Sequence, residues 1–178
     1  MLLPDVRNII NDAGFKAFFQ ALWNYVTTEY KNFQLLVALF EWFWDTTCTF
    51  HFPGIGEVML TPYDFSVIIG LKLGGKRIEG HDSISPTEVK KFLVMNPPRV
   101  SGSNVTLMWL FSNIEKCKSV ETGTRMFVFL FIGSLLCPNL WSTVSLHYLW
   151  SSRNINCIKY YDWGGMAYAT LLHYDPAV

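Results

Sequence analysis

The stretch from Thr49 to Gly75 constrains the fold most, because the hydrophobic period changes twice within it. Apolar and polar residues alternate over residues 49–53 and again over residues 57–61. Between these two runs lies the short segment Gly54-Ile55-Gly56. Alternation on both sides of a glycine-bearing loop predicts a small β-hairpin near residues 49–61. A two-stranded hairpin is only marginally stable by itself, so we expect it to pack on other elements.

The residues that follow this hairpin predict a helix with a defined start and end. Thr61 is a suitable cap, Pro62 fits the first helical position, and the Asp64 carboxylate can reach back to the cap. Gly70 is the expected stop, because glycine readily adopts the left-handed conformation that ends helices. The apolar residues that we expect this helix to bury are Phe65, Ile68 and Ile69.

Elsewhere the hydrophobic period is helical. Six further helices are predicted. The first begins at the cap Asp12 and runs through Val26, and the second covers about 32–45. The third begins at the Ser85-Pro86-Thr87-Glu88 cap and runs through Val94, and the others cover about 106–116, about 123–136, and about 163–174 with Asp162 as cap. The prolines Pro97 and Pro98 are expected to stop the third of these. The sequence therefore predicts a mainly α-helical single domain over residues 1–178, with one small β-hairpin.

The composition restricts the class of protein. With 178 residues, 51% of them hydrophobic, the chain can bury a sizeable core and is not disordered. Its formal net charge of zero gives no overall attraction to nucleic acid or to an anionic membrane. The apolar runs at residues 126–137 and 33–44 are shorter than the roughly 20 residues that a spanning helix needs, which favours buried core helices. The N-terminus has no basic region before a long apolar segment, so we expect no secretion.

The cysteines indicate neither zinc nor a disulfide framework. Cys48, Cys117, Cys137 and Cys157 are widely separated and form no CxxC pair. Buried reduced thiols are the expected state.

Basic residues outnumber acidic ones between residues 72 and 99. A solvated surface loop explains this excess and is the interpretation we favour. Contact with phosphate groups is the alternative, and its candidates are Lys72, Lys76, Arg77, Lys90 and Lys91. The segment from Gly70 to Arg77 also approaches a phosphate-binding P-loop, but Arg77 stands where that loop needs Ser or Thr, and the segment follows a helix instead of a strand.

The histidines and carboxylates form no recognisable catalytic pattern. His51, His81, His147 and His173 show no metal-ligand spacing. Glu57 and Asp64 are seven residues apart, but Asp64 is explained as a cap and Glu57 opens a strand, so structural roles are favoured. A hydrolase that uses Cys and His, or carboxylates, stays open because catalytic partners meet in space and not in sequence.

Several blocks of the chain resemble the plant mobile domain family, also catalogued as "aminotransferase-like, plant mobile domain" and found in the long form of plant protein phosphatase 7. The blocks are Trp44, Thr47, Phe50-His51-Phe52-Pro53, Gly56-Glu57, Thr61, Asp64, Gly70-Leu71; Met108-Trp109-Leu110-Phe111; Arg125 through Leu136 with Pro138; His147-Tyr148-Leu149; and Tyr161 through Tyr168, which includes Trp163-Gly164. The resemblance spans about residues 5–174. The loop at residues 53–57 and Met166 depart from the family pattern.

The resemblance implies a non-catalytic protein-interaction module of transposon-related origin. Such a module would act in the nucleus, in transposon silencing, genome stability or meristem growth. Its expected partner is a phosphatase-7-like protein or another mobile-domain protein, with no membrane. The resemblance also implies further C-terminal helices in family members, so we expect this chain to be a short or truncated one. The alternatives are a weak nucleic-acid-binding module derived from a transposon and an uncharacterised hydrolase.

The family's motif residues are expected to be structural, with no catalytic, cofactor or metal role. They are Trp44, Phe50, His51, Pro53, Gly56, Glu57, Thr61, Asp64, Gly70, Trp109, Arg125, Tyr148, Trp163 and Gly164. The word "aminotransferase" is not carried over, because a pyridoxal-phosphate enzyme needs a Schiff-base lysine, a partner for the pyridinium nitrogen and a phosphate cup. The sequence indicates none of these three features.

Overall fold

The computed structural model of the chain describes residues 3–17, 19–20, 39, 41–78, 84–95, 97–98, 103–136 and 141–172. The α-helices are α1 (Pro4–Asp12), α2 (Pro62–Ile69), α3 (Pro86–Leu93), α4 (Leu107–Ile114), α5 (Val120–Phe131) and α6 (Trp163–Leu172). A π-helix follows α5 at Ile132–Leu136, and 3-10 helices cover Leu146–Ser152 and Ile155–Tyr160. The strands are β1 (Phe43–Trp44), β2 (Thr49–Phe52), β3 (Gly56–Met59), β4 (Asn104–Thr106) and β5 (Thr143–Ser145). The predicted fold class, mainly α with a small hairpin, is confirmed.

Helix α5 is the centre of the core. Every residue from Thr122 to Phe131 is buried, because α1, α3, α4 and the 3-10 helices pack around it. The rings of Phe15 and Phe131 lie 4.3 Å apart between centroids, and Trp163 of α6 is 5.3 Å from Phe15. The apolar run that begins at Met126 is therefore a core helix, as predicted. Among the described residues, no helix combines the length and hydropathy that crossing a bilayer requires.

Two small antiparallel sheets accompany the helices. In the first, β2 pairs with β3 in the predicted hairpin, and β1 adds to β2. In the second, β4 pairs with β5, which the sequence analysis did not predict. The predicted helix at about 32–45 was wrong at its end, since Phe43 and Trp44 pair with Phe50 and Thr49 instead of continuing a helix. Most of that prediction lies outside the described residues.

The predicted capping signals at α2 and α3 are confirmed. At α2 the Asp64 backbone N–H donates to the Thr61 hydroxyl at 3.2 Å, and the Thr61 N–H donates to the Asp64 carboxylate at 3.1 Å. Gly70 ends the helix in the left-handed conformation, with φ 72°. Ser85 and Glu88 form the same reciprocal pair at α3. That helix ends at Leu93, so Pro97 and Pro98 lie beyond its end.

Two details of the predicted helices were wrong. Asp12 is the last residue of α1 and does not cap the next helix; a turn at Gly14 follows, and the Phe19 N–H donates to the Phe15 carbonyl. The remainder of that predicted helix, from residue 21 onward, lies outside the described residues. In α2, Phe65 is buried but Ile68 is 72% exposed, because only one side of this short helix faces α6.

Residues 71–78 form an irregular segment, which is hydrogen-bonded to the residues just before and at the start of α6. The Lys76 N–H donates to the Tyr160 carbonyl at 2.7 Å, and the Asp162 N–H donates to the Lys76 carbonyl at 2.8 Å. The approach is so close that a Cβ on Gly164 would lie 2.5 Å from the Lys72 carbonyl oxygen. The Gly74 N–H donates to the Asp162 carboxylate, so this amide of the P-loop-like segment is used within the fold.

Candidate interaction surface

A polar cluster occupies one face of the three-stranded sheet. His51 and Glu57 are cross-strand partners, and Thr49 lies two residues from His51, so the alternation of strand side chains places all three on that face. The Thr49 hydroxyl donates to the Glu57 carboxylate at 2.6 Å and lies 3.2 Å from His51 Nε2. His51 Nε2 is 3.4 Å from the same Glu57 oxygen. Thr47 extends the cluster through a bond between its hydroxyl and that of Thr49.

Trp44 covers this cluster from β1. Its ring stacks on the His51 ring with centroids 4.0 Å apart and an interplanar angle of 22°. The hydrogen bond from Thr49, opposed by partial desolvation and reinforced by His51, lowers the pKa of Glu57 below the ordinary glutamate value. The cluster therefore holds an ionised carboxylate in a fixed place at the surface.

Among the described residues, His51 is not hydrogen-bonded to a cysteine thiol. The nearest cysteine in sequence, Cys48, directs its thiol to the carbonyls of Asp45 and Leu172 instead of to His51. Neither of the two larger clefts is lined by the cluster. Within the described ranges, no three His, Cys, Asp or Glu side chains are grouped so that they could hold a metal ion.

Apolar side chains are exposed beside the cluster, from the hairpin loop through β3 into α2. All four residues of the edge strand β3 are exposed, and Phe65 is the buried residue of α2. We call this set the hairpin–helix surface: Trp44, Ile55, Met59, Tyr63, Val67 and Ile68, which are between 54% and 78% exposed. Large apolar side chains gathered in this way are typical of a binding surface.

The other hairpin motif residues shape this region. Phe50 is half-buried on the opposite face of the sheet, where its ring stacks on Phe52 and lies tilted against Phe43. Pro53 is exposed at the start of the loop, and Gly56 adopts φ 101°, which the turn requires.

Among the motif residues of the C-terminal half, Arg125, Trp163 and Gly164 are buried in the core, whereas Trp109 and Tyr148 are partly buried against it. Arg125 is 6% exposed and donates to the carbonyls of Phe92, Ser152 and Arg153 and to the Glu121 carboxylate, at 3.1–3.2 Å. Trp163 donates its indole N–H to the Ile158 carbonyl. The Trp109 backbone N–H donates to the capping hydroxyl of Thr106.

The candidate phosphate contacts do not form one patch. Lys76 forms a β-bridge with Tyr161, and successive side chains of strand-like backbone point to opposite sides. Lys76 and Arg77 accordingly line different clefts. Lys76 lines a groove of about 500 Å³ that also contains Arg125 and Arg153. Arg77 lines a cleft of about 650 Å³ together with His147 and the motif residue Tyr148. The remaining candidates are exposed elsewhere: Lys72, Lys90 and Lys91.

Sequence reasoning missed Arg153 as a groove residue. It lies 28 residues from Arg125, and no spacing pattern links the two positions. His81, His173 and Cys137 lie outside the described residues.

Comparison with known proteins gives the family. The family described as "Domain of unknown function (DUF8566)" matches residues 2–174. Protein MAINTENANCE OF MERISTEMS of Arabidopsis thaliana is 32% identical over 151 residues, which cover 79% of this chain and 31% of that protein. Protein MAIN-LIKE 1 of the same plant is 28% identical, over 96% of this chain and 35% of that protein.

A further relative is named serine/threonine-protein phosphatase 7 long form homolog, also from Arabidopsis thaliana. It is 27% identical over 79% of this chain and 11% of that protein. The chain thus spans about a third or less of the length of these relatives. No solved structure matches the chain. The chain belongs to the family described as "Domain of unknown function (DUF8566)", and its relatives are plant mobile domain proteins, as the sequence blocks predicted.

Proposed function

We propose that this chain is a non-catalytic protein-interaction module of transposon-related origin that acts in the nucleus. Its role would be in transposon silencing, genome stability or meristem growth, and its hairpin–helix surface would bind the partner. The names of the relatives support a role connected with meristems. Nuclear location is tested by microscopy of a fluorescent fusion in plant cells.

The exposure of the hairpin–helix surface carries this proposal. Ile55, Tyr63 and Ile68 are each more than 70% exposed. Burial of apolar surface against a partner stabilises the complex by roughly 25 cal/mol per Å². The entropy that both proteins lose on association is subtracted from this gain. The neighbouring His51–Glu57 pair supplies fixed polar groups, which favour one orientation of the partner.

The partner we propose to test first is a phosphatase-7-like protein. A relative of that name contains a segment related to this chain, which is the reason for the choice. Another mobile-domain protein is the second partner to test. In both cases we expect the apolar side chains of α2 to lie in the interface.

Size-exclusion chromatography with light scattering tests this proposal. The wild-type chain should form a complex with the phosphatase-7-like protein, and a Val67→Ser/Ile68→Ser variant should not. Both replaced side chains are at least 65% exposed, so the free energy of unfolding should change by no more than about 0.5 kcal/mol for each. Met108→Ser is the matched control, because Met108 is 74% exposed on a different helix and its loss should leave binding intact.

Two results would contradict the proposal. Equal binding by the double variant and the wild type would place the interface elsewhere. Failure of the wild-type chain to bind either a phosphatase-7-like protein or another mobile-domain protein would remove the partner assignment.

A further inference from the structure

A groove of about 500 Å³ lies where the segment 71–78 meets the two 3-10 helices. It is distant in sequence from the hairpin–helix surface and shares no residue with it. Its charged lining consists of three cations and one carboxylate: Lys76, Arg125, Arg153 and Glu121. Basic side chains therefore dominate the groove, although the net charge of the whole chain is zero.

One cation and the carboxylate in this groove compensate each other. Glu121 accepts from Arg125 at 3.1 Å, and the other hydrogen bonds of Arg125 end on backbone carbonyls. Lys76 and Arg153 form no ion pair with any residue that the structure describes. Two positive charges in the groove thus remain for a ligand.

The backbone under these two cations is fixed. Lys76 uses both its N–H and its carbonyl in bonds to residues 160–162. The Arg153 carbonyl accepts from the buried Arg125, and the Arg153 N–H donates to the Trp150 carbonyl at 3.1 Å. The Arg153 guanidinium carbon lies 4.8 Å from the centroid of the Trp150 ring, which restricts that side chain too. Groups held in advance lose little entropy on binding, so the groove is preorganised for an anion.

We infer that this groove binds a phosphomonoester group. The planar guanidinium of Arg153 can donate two parallel hydrogen bonds to phosphate oxygens, and Lys76 adds a compact point charge. The Asn154 side-chain oxygen already accepts from the Asn156 N–H at 3.0 Å, so the Asn154 amide has its NH₂ group left to donate. Two cations and amide donors match a single dianionic group.

The placement of the other basic residues argues against an extended polyanion. Arg77 lines the other cleft, and Lys90 and Lys91 are on α3, which contributes nothing to the groove lining. Binding of a nucleic-acid strand needs a row of cations along several phosphates. The groove offers a site for one phosphate group instead.

Calorimetric titration and amide NMR of the full chain test this inference. Inorganic phosphate and a short phosphoserine peptide should each bind saturably and shift the amide signals of Lys76, Asn154 and Asn156. Arg153→Gln and Lys76→Gln should each weaken binding about tenfold, because a hydrogen bond to a charged group is lost. Their backbone bonds are retained, so both variants should fold. Lys91→Gln changes charge equally outside the groove and should bind as the wild type does.

The two probes separate the sources of the phosphate. Tighter binding of the peptide would identify a phosphorylated side chain as the ligand, and equal binding would identify a free phosphate compound. Absence of saturation by both probes at about 10 mM would overturn the inference. It would also be overturned if a single-stranded oligonucleotide bound with steep salt dependence and lost affinity equally in Lys72→Gln, Lys76→Gln and Lys90→Gln, since that pattern belongs to a nucleic-acid surface.

Discussion

Arg125 on α5 and Trp163 on α6 are 6% and 2% exposed, whereas Trp44 on β1 is 55% exposed. All three belong to the blocks by which this chain resembles plant mobile domain proteins. Around α5 such residues join helices, because Arg125 connects α3, α5 and the first 3-10 helix through its hydrogen bonds. On the three-stranded sheet they stack and pair at the surface, as Trp44, His51 and Glu57 do.

This difference separates two uses of the same kind of motif. Residues buried around α5 are explained by the stability of the fold, and no partner is needed to account for them. In the hairpin region Trp44 and Glu57 are exposed, so stability explains their presence less well. Substitutions should therefore lower stability strongly near α5 and weakly at the hairpin.

The largest loss of stability is expected for Arg125→Met. The change leaves the buried carbonyls of Phe92 and Ser152, and the part-buried carbonyl of Arg153, without this donor. An unsatisfied buried acceptor costs about 1–3 kcal/mol, so the free energy of unfolding in urea should fall by roughly 3 kcal/mol or more. Glu121→Gln is the control, because the Glu121 side chain is 61% exposed and its pair with Arg125 should contribute less than about 0.5 kcal/mol. Equal losses in the two variants would contradict the view that the carbonyls matter most.

A smaller loss is expected for Gly164→Ala. Its new Cβ would lie 2.5 Å from the Lys72 carbonyl oxygen, so α6 or the segment 71–78 must shift, at a cost of about 2–3 kcal/mol. Gly54→Ala in the hairpin loop meets no atom within 4 Å and suffers only from its φ of +78°, for about 1 kcal/mol. Urea unfolding of both variants measures the contrast. A larger loss at Gly54 than at Gly164 would break the proposed distinction between the regions.

Local signals in the sequence predicted the elements that are defined by a few neighbouring residues. The sequence predicted the Thr61–Asp64 and Ser85–Glu88 capping pairs, the Gly70 stop and the β2–β3 hairpin, because each is determined within one short stretch of the chain. The pairing of β4 with β5 was not predicted, because Val105 and Val144 are far apart in the chain and each strand has only three residues.

The candidate sites were harder to predict than the fold for the same reason. His51 and Glu57 are neighbours because the hairpin register places them opposite each other. Their proximity therefore follows once the hairpin and its register are known. The groove joins Lys76 to Arg153 through contacts between distant segments, and only the tertiary structure brings them together. The division of Lys76 and Arg77 between two clefts likewise depends on where the segment 71–78 lies.

Two neighbouring isoleucines of α2 allow a half-buried and an exposed side chain to be compared within one helix. Ile69 is half-buried and packs against the core, whereas Ile68 is 72% exposed. Ile69→Ala should therefore lower the free energy of unfolding by about 1–2 kcal/mol, and Ile68→Ala by less than about 0.5 kcal/mol. Thermal and urea unfolding of the pair provide the measurement. Equal losses would mean that Ile68 is covered in solution, which would weaken its assignment to a binding surface.

The smallest expected effect is a pH dependence at Glu57, and it tests whether the hairpin cluster is formed in solution. Because the Thr49 hydrogen bond lowers the folded-state pKa of Glu57, ionised Glu57 contributes stability above its unfolded-state pKa, and this contribution is lost as the pH falls through the folded-state pKa. The melting temperature of the wild type should exceed that of Glu57→Gln near neutral pH, and the difference should vanish between about pH 5 and pH 3. Asp64, whose pKa is lowered by Thr61, is present in both proteins and cancels. Thr49→Val removes the donating hydroxyl and should reduce the same pH-dependent difference. If the difference in melting temperature between the wild type and Glu57→Gln stayed constant over this pH range, the Thr49–Glu57 bond would not persist in solution. The cluster would then have no fixed polar group to orient a partner.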